Sequence, residues 1–137
     1  MLFWLRPSIV RLDENTCVMK IPLNRRSKNH LNCMYFGALA AGADIASGFL
    51  AFKIIHDSKE KISFLFKDFK ADFKKRAEAD TYFICNDGAA VRAMIDEARL
   101  TKMRVNRSVK VIATVPSKMG DEPVAEFELT MSVKLKT

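Results

Sequence analysis

Between Cys33 and Phe52 the chain runs for twenty residues with a single charge, Asp44, near the middle. Nine of the twelve residues from Gly37 to Gly48 are Gly, Ala or Ser. Such small side chains let another stretch of backbone come close, so the segment reads as a helix packed tightly against something else. A carboxylate in that setting must be neutralised, paired or put to use, because an isolated buried charge is costly. Asp44 is therefore the most informative residue in the sequence.

The run matches a membrane span in length. The central Asp44, the weak hydrophobicity of Gly and Ala, and amphipathic segments elsewhere point instead to a buried helix in a water-soluble protein, with no membrane span. The opening MLFWLRPSIV is too short for a signal peptide, lacks a basic start and is stopped by Arg6-Pro7. With 137 residues the chain is expected to form one domain, 1–137, around one core. A net charge of +7 favours anionic partners. The lysines are dispersed, however, and neither an RNA-binding aromatic signature nor zinc-finger spacing is present, so nucleic acid is not expected. Cys17, Cys33 and Cys85 are widely spaced with no CxxC pair. That argues against a disulfide framework or a metal site and for a reducing, cytoplasmic compartment.

Residues 2–6 read as an apolar turn ended by Pro7. Ile9–Leu12 and Thr16–Leu23 read as strands joined by Asp13-Glu14-Asn15. Asn24–Asn32 is a basic loop, and its Asn29 or Asn32 is placed to cap the helix expected over about residues 33–52 or a turn beyond. His56–Lys61 reads as a polar connection. In Ile62–Lys75 the alternation changes phase. Ile62, Phe64 and Phe66 share one parity and Phe69, Ala71 and Phe73 the other, which predicts a bulge near Lys67-Asp68.

Thr81–Cys85 is a short strand, and Asn86-Asp87-Gly88 opens a second helix near 88–103 with Val91, Met94, Ile95 and Ala98 at core spacing. Val105–Val115 and Val124–Leu135 are strands joined by a turn at Ser117–Pro123. Hairpin-length connections in the order β-β-α-β-β-α-β-β predict an antiparallel sheet with one buried face. The first helix is apolar enough to cover that face, giving an α+β architecture.

This arrangement resembles the hot-dog fold, in which a curved antiparallel sheet wraps a long central helix. In particular it resembles the thioesterase superfamily that includes the phenylacetate-pathway type of acyl-CoA thioesterase. A signature there reads Asn-x-x-Gly-x-x-His-Gly-Gly, with an acidic residue nine positions after the His. Asn29 stands at the Asn, Asn32 at the first Gly, Tyr35 at the His, Phe36-Gly37 at the Gly-Gly and Asp44 at the acidic position. Asn29, Gly37 and Asp44 agree with the signature, while Asn32, Tyr35 and Phe36 depart from it. The order of elements extends the likeness over about residues 8–135, with the helix near 88–103 as an addition. The Tyr-Phe-Gly-Ala start of the first helix is similar to that of an uncharacterised hot-dog branch.

The resemblance implies a homodimer, or a tetramer, with acyl-CoA or another acyl thioester at the interface, CoA being part of the substrate and no other cofactor required. It implies Asp44 as general base or nucleophile, the Phe36 backbone N–H as oxyanion donor, and Asn29 as the group orienting the carbonyl or the attacking water. Asn32, Tyr35 and Gly37 would border the substrate. Ser47, one turn beyond Asp44 and expected on the same face, is placed either to bond it or to pack. Asp68 and Phe69, at the expected bulge, fall where related proteins complete the pocket from the second subunit; core packing serves Phe69 equally well.

Arg25, Arg26 and Lys28, with Lys70, Lys74, Lys75 and Arg76, are candidates for CoA phosphates or plain solvated surface. The physics suits such a site, since a helix start offers unpaired N–H groups and apolar surroundings raise a carboxyl pKa towards a useful range. No Gly-x-Ser-x-Gly motif supports a serine nucleophile, and His30 is a poor substitute for the His of a hot-dog dehydratase. Two classes of function remain: an acyl-CoA hydrolase, or a non-catalytic acyl-CoA or lipid-binding protein, which the bulk of Tyr35 and Phe36 favours.

Overall fold

The computed structural model describes residues 2–136. In chain order these form α1 (Leu2–Leu5), β1 (Ser8–Leu12), β2 (Cys17–Ile21), α2 (Phe36–Ser58), β3 (Ile62–Phe73), β4 (Thr81–Cys85), α3 (Gly88–Thr101), β5 (Val105–Thr114), α4 (Pro116–Met119) and β6 (Pro123–Leu135).

Local chemistry sets the first hairpin. The Asp13 carboxylate accepts from the Asn15 and Thr16 N–H groups at 2.8 and 2.9 Å, turning the chain between β1 and β2. Gly88 lies against this turn and donates its N–H to Asn15 O at 3.0 Å. A Cβ there would run into the backbone of Glu14 and Asn15, so the start of α3 requires a glycine. The strands pair antiparallel in one six-stranded sheet ordered β1-β2-β4-β5-β6-β3. In β3 the register shifts between Phe66 and Asp68. That bulge keeps Phe64, Phe66, Phe69, Ala71 and Phe73 opposite Val133, Met131, Leu129, Phe127 and Ala125, as the change of phase predicts.

The sheet curls around α2. By length and composition that helix would cross a membrane, yet 56% of its most apolar 18-residue window is buried inside the protein. Its sheet-facing residues, among them Ala38, Gly42, Ala46 and Leu50, pack onto β2, β4 and β5. Gly42 sits directly under the fully buried ring of Phe83, so close that a Cβ would overlap it. α3 buries Val91, Met94, Ile95 and Ala98 against β5, β6 and α2. All three cysteines are buried and free, and Cys17 stands opposite Cys85 across β2 and β4.

Three expectations are corrected. α2 starts at Phe36 rather than Cys33 and runs to Ser58 rather than to Phe52 or a turn beyond, so His56–Ser58, half of the polar stretch His56–Lys61, are helical and the helix ends at the left-handed Lys59. His56–Ser58 contain no helix breaker, and Lys53 and Asp57 form an i,i+4 ion pair of 2.8 Å along the last turns. Neither Asn29 nor Asn32 caps α2. Tyr35 occupies the cap without a side-chain bond, because the Asn29 side chain is engaged within its own loop and Asn32 turns through a left-handed φ of 61°. The turn at Ser117–Pro123 is preceded by, and partly built from, the one-turn helix α4.

Candidate active site

Because α2 rests on β2, β4 and β5 and barely touches β3, a cleft of about 1070 Å³ opens between helix and strand. One wall is the outward stripe of α2: Gly37, Ala40, Ala41, Asp44, Gly48 and Phe52. The other is Phe64, Phe66, Asp68 and Phe69 of β3 with Leu129 of β6; Ile45, Phe49 and Leu65 complete the lining. Small residues on the helix make the room, and phenylalanines on the strand make the cleft apolar.

Asp44 and Asp68 are the ionisable groups in that lining, and they differ in employment. Asp68 closes the bulge, its Oδ1 accepting from the Thr130 N–H at 3.2 Å. The Asp44 carboxylate has no hydrogen-bond or ion-pair partner among the described residues. It is open to the cleft, yet the apolar walls strip enough water from it to raise its pKa above the usual aspartate value.

The remaining candidates fall in three places. Gly37 and Phe69 line the cleft with Asp44. Asn29, Asn32, Tyr35 and Phe36 belong to the approach to α2 instead. Asn29 Oδ1 accepts from Leu31 N–H at 2.9 Å and Cys33 N–H at 3.3 Å, bracing the loop. Tyr35 N–H donates to Ser27 O at 3.0 Å, and the Tyr35 ring lies over Gly37, where a Cβ would come within 2.8 Å of it. Phe36 is 72% exposed, and its ring meets Phe73 edge-on at 6.4 Å. The N–H groups of Phe36 and Gly37, in the first turn of α2, have no acceptor among the described residues, as expected of a helix start.

Ser47 is the correction. It faces the sheet rather than the cleft, is buried, and donates its Oγ to Ala43 O at 2.8 Å instead of approaching the Asp44 carboxylate. Among the basic candidates, Lys74 and Lys75 are paired with Asp72, Glu126 and Glu122. Sequence reading missed Ile45, Phe49, Phe52, Phe64, Phe66 and Leu129 as lining residues. The i, i+4 stripe Gly37–Ala41–Ile45–Phe49 and the phenylalanines preceding the bulge carry that signal.

The sequence profile described as Domain of unknown function (DUF4442) matches residues 4–133. No curated protein matches the chain by sequence. Among solved structures, a protein of unknown function from Chlorobaculum tepidum, OLEI01261, superposes with a TM-score of 0.85 at 12% identity, covering 98% of this chain and 86% of its own. PA5026 from Pseudomonas aeruginosa, described as a probable thioesterase, gives 0.80 at 20% identity over 96% and 85%. The thioesterase HI1161 from Haemophilus influenzae gives 0.72 at 11% identity over 98% and 82%. The fold of the chain is the hot-dog fold of these neighbours.

Proposed function

We propose that this chain, which belongs to the DUF4442 family, hydrolyses acyl thioesters such as acyl-CoA, with Asp44 as general base or nucleophile. The observation that carries the reading is the unpartnered carboxylate of Asp44 in a cleft otherwise lined by apolar residues and the engaged Asp68. Apolar walls suit an acyl chain. A carboxylate of raised pKa suits removal of a proton from water as that water attacks the thioester carbonyl. Collapse of the tetrahedral intermediate then expels the thiolate, which takes up a proton. As nucleophile, the Asp44 carboxylate would instead attack the carbonyl and expel the thiolate, which takes up a proton, leaving a mixed anhydride that water hydrolyses to the free acid and Asp44.

Developing negative charge on the carbonyl oxygen calls for N–H donors, and the start of α2 supplies those of Phe36 and Gly37. Eight residues of helix separate Phe36 from Asp44, about 12 Å, which is too far for both to serve one carbonyl. A second copy of the chain resolves this by presenting its own helix start to the first copy's Asp44. β3 is suited to bring it there: it is an edge strand, and Leu65, Phe69 and Phe73 are exposed along it. The active unit in this reading is a homodimer, with substrate between the copies.

Thiol release from short-, medium- and long-chain acyl-CoAs tests the proposal, with Asp44→Asn as control and sedimentation reporting the dimer. Turnover by the native protein and its loss in a folded Asp44→Asn variant are expected; a fully active variant sinks the role of Asp44. A second reading, binding without hydrolysis, is favoured by Tyr35, whose ring covers Gly37 at the helix start. Acyl-CoA binding with no turnover of any chain length selects it.

A further inference from the structure

The cleft continues past Phe52. Phe52 and Phe64 also border a second hollow of about 590 Å³ at the C-terminal end of α2. Its character is different, for Lys59, Lys61, Lys136 and His56 surround it. Glu60, the acidic residue there, is turned towards Arg99 at 4.0 Å. Unlike Lys20, Lys53, Lys74 and Lys75, but like Lys67, Lys70, Lys110 and Lys134, the three lysines of the hollow have no carboxylate within ion-pairing distance among the described residues; what sets them apart is that they line one hollow. The backbone gathers them: Lys59 is the left-handed cap of α2, and Lys136 N–H donates to Lys61 O at 2.7 Å where the last strand meets the first residues of β3. Two of the carbonyls at this helix end already have partners, His56 O accepting from Lys59 N–H and Ile55 O from Ser58 Oγ at 2.7 Å. Three lysines drawn together around a hollow whose one carboxylate, Glu60, is shared with Arg99 leave a net positive charge that an anion can offset.

We propose that this hollow receives the phosphate of a phosphopantetheine thioester whose carbonyl lies at Asp44, an inference that rests on the thioesterase reading above. Fifteen residues of helix place Lys59 about 22 Å from Asp44. An extended phosphopantetheine arm is roughly 15 Å from sulfur to phosphorus by the same bond geometry as an extended chain, and the aspartate and lysine side chains span the rest. The arm runs along α2, past Phe52, with the acyl chain on the Phe66 and Phe69 side of the carbonyl. CoA and an acyl carrier protein share this 4′-phosphate, and the hollow recognises what they have in common.

Calorimetric titration with CoA, 4′-phosphopantetheine and pantetheine tests the site without requiring hydrolysis. Both phosphorylated probes are expected to bind about tenfold tighter than pantetheine or more, the value of one or two charge-assisted hydrogen bonds. The Lys59→Ala/Lys61→Ala/Lys136→Ala variant should lose that preference, and the exposed charge reversal Lys61→Glu should weaken phosphopantetheine but spare pantetheine. Equal binding of pantetheine and phosphopantetheine, or a triple variant that keeps the native preference, overturns the proposal. With the preference established, CoA binding tighter than phosphopantetheine identifies CoA as the source; parity, together with binding of holo acyl carrier protein, identifies the carrier. A protein that reads the phosphate but hydrolyses nothing keeps the site and loses the reaction. One that hydrolyses acyl-CoA with affinity independent of the lysines keeps the reaction and loses the site.

Discussion

The two faces of α2 are built from the same small residues and live in opposite surroundings. On the sheet side, Gly42 is pressed under Phe83, and Ala38, Ala43, Ala46 and Leu50 are buried. On the cleft side, Ala40, Ala41 and Gly48 face open volume around Asp44. Smallness thus does two jobs, bringing the sheet close on one face and keeping space clear on the other. A sequence of glycines and alanines carries no mark of which job each residue does.

The largest expected effect separates the faces by activity. Asp44→Asn should lower acyl-CoA hydrolysis by about 10²- to 10⁴-fold, the usual worth of a general base, as measured by thiol release. The same variant should raise the melting temperature at pH 7. Desolvation raises the folded-state pKa of Asp44, so the folded protein loses stability as pH rises from the unfolded value of about 3.9 through the raised one, and Asn avoids that loss. The gain should vanish below pH 3.9; a gain equal at both pH values would break the contrast.

On the sheet side, Leu50→Ala should cost about 2–5 kcal/mol in urea unfolding through the cavity it leaves, without a matching fall in kcat of the folded fraction. Gly42→Ala, which drives a methyl into the Phe83 ring, should cost about 1–3 kcal/mol. Gly48→Ala should do the reverse and stabilise by up to about 1 kcal/mol through helix propensity, since the nearest atom to the new Cβ is Phe66 Cε2 at 3.9 Å. Identical signs for the two glycine substitutions would erase the distinction between the faces.

Much of the fold is legible in the chain because its signals are local. The parity change in β3 names its bulge to within a residue, and the spacing of Val91, Met94, Ile95 and Ala98 gives the buried face of α3. Failures occur where a local signal has two readings. Asn29 has capping chemistry, but its oxygen finds Leu31 and Cys33 N–H groups nearer than the helix start. Ser47, three residues from Asp44, stands on the adjoining stripe of the helix, and the edge of the sheet falls between the two. His56–Ser58 are polar, yet polarity ends a helix only when a breaker accompanies it, and here that is the left-handed Lys59. Asp44 stood out because charge is rare in its neighbourhood. The lysine hollow was hidden because residues 59, 61 and 136 converge only once β6 returns alongside β3.

The facing thiols of Cys17 and Cys85 lead to a different use of the molecule. Both are fully buried in the middle of the sheet, and burial pushes their pKa values up to about 11 and about 12. At neutral pH almost no thiolate is present to meet an alkylating reagent, and the reagent has no path to the sulfur. Labelling therefore has to wait for β2 and β4 to part. The native chain carries its own clock for that event: alkylation over time, read at the peptides that hold Cys17 and Cys85 and apart from Cys33 in the loop before α2, counts openings of these two strands with no residue changed.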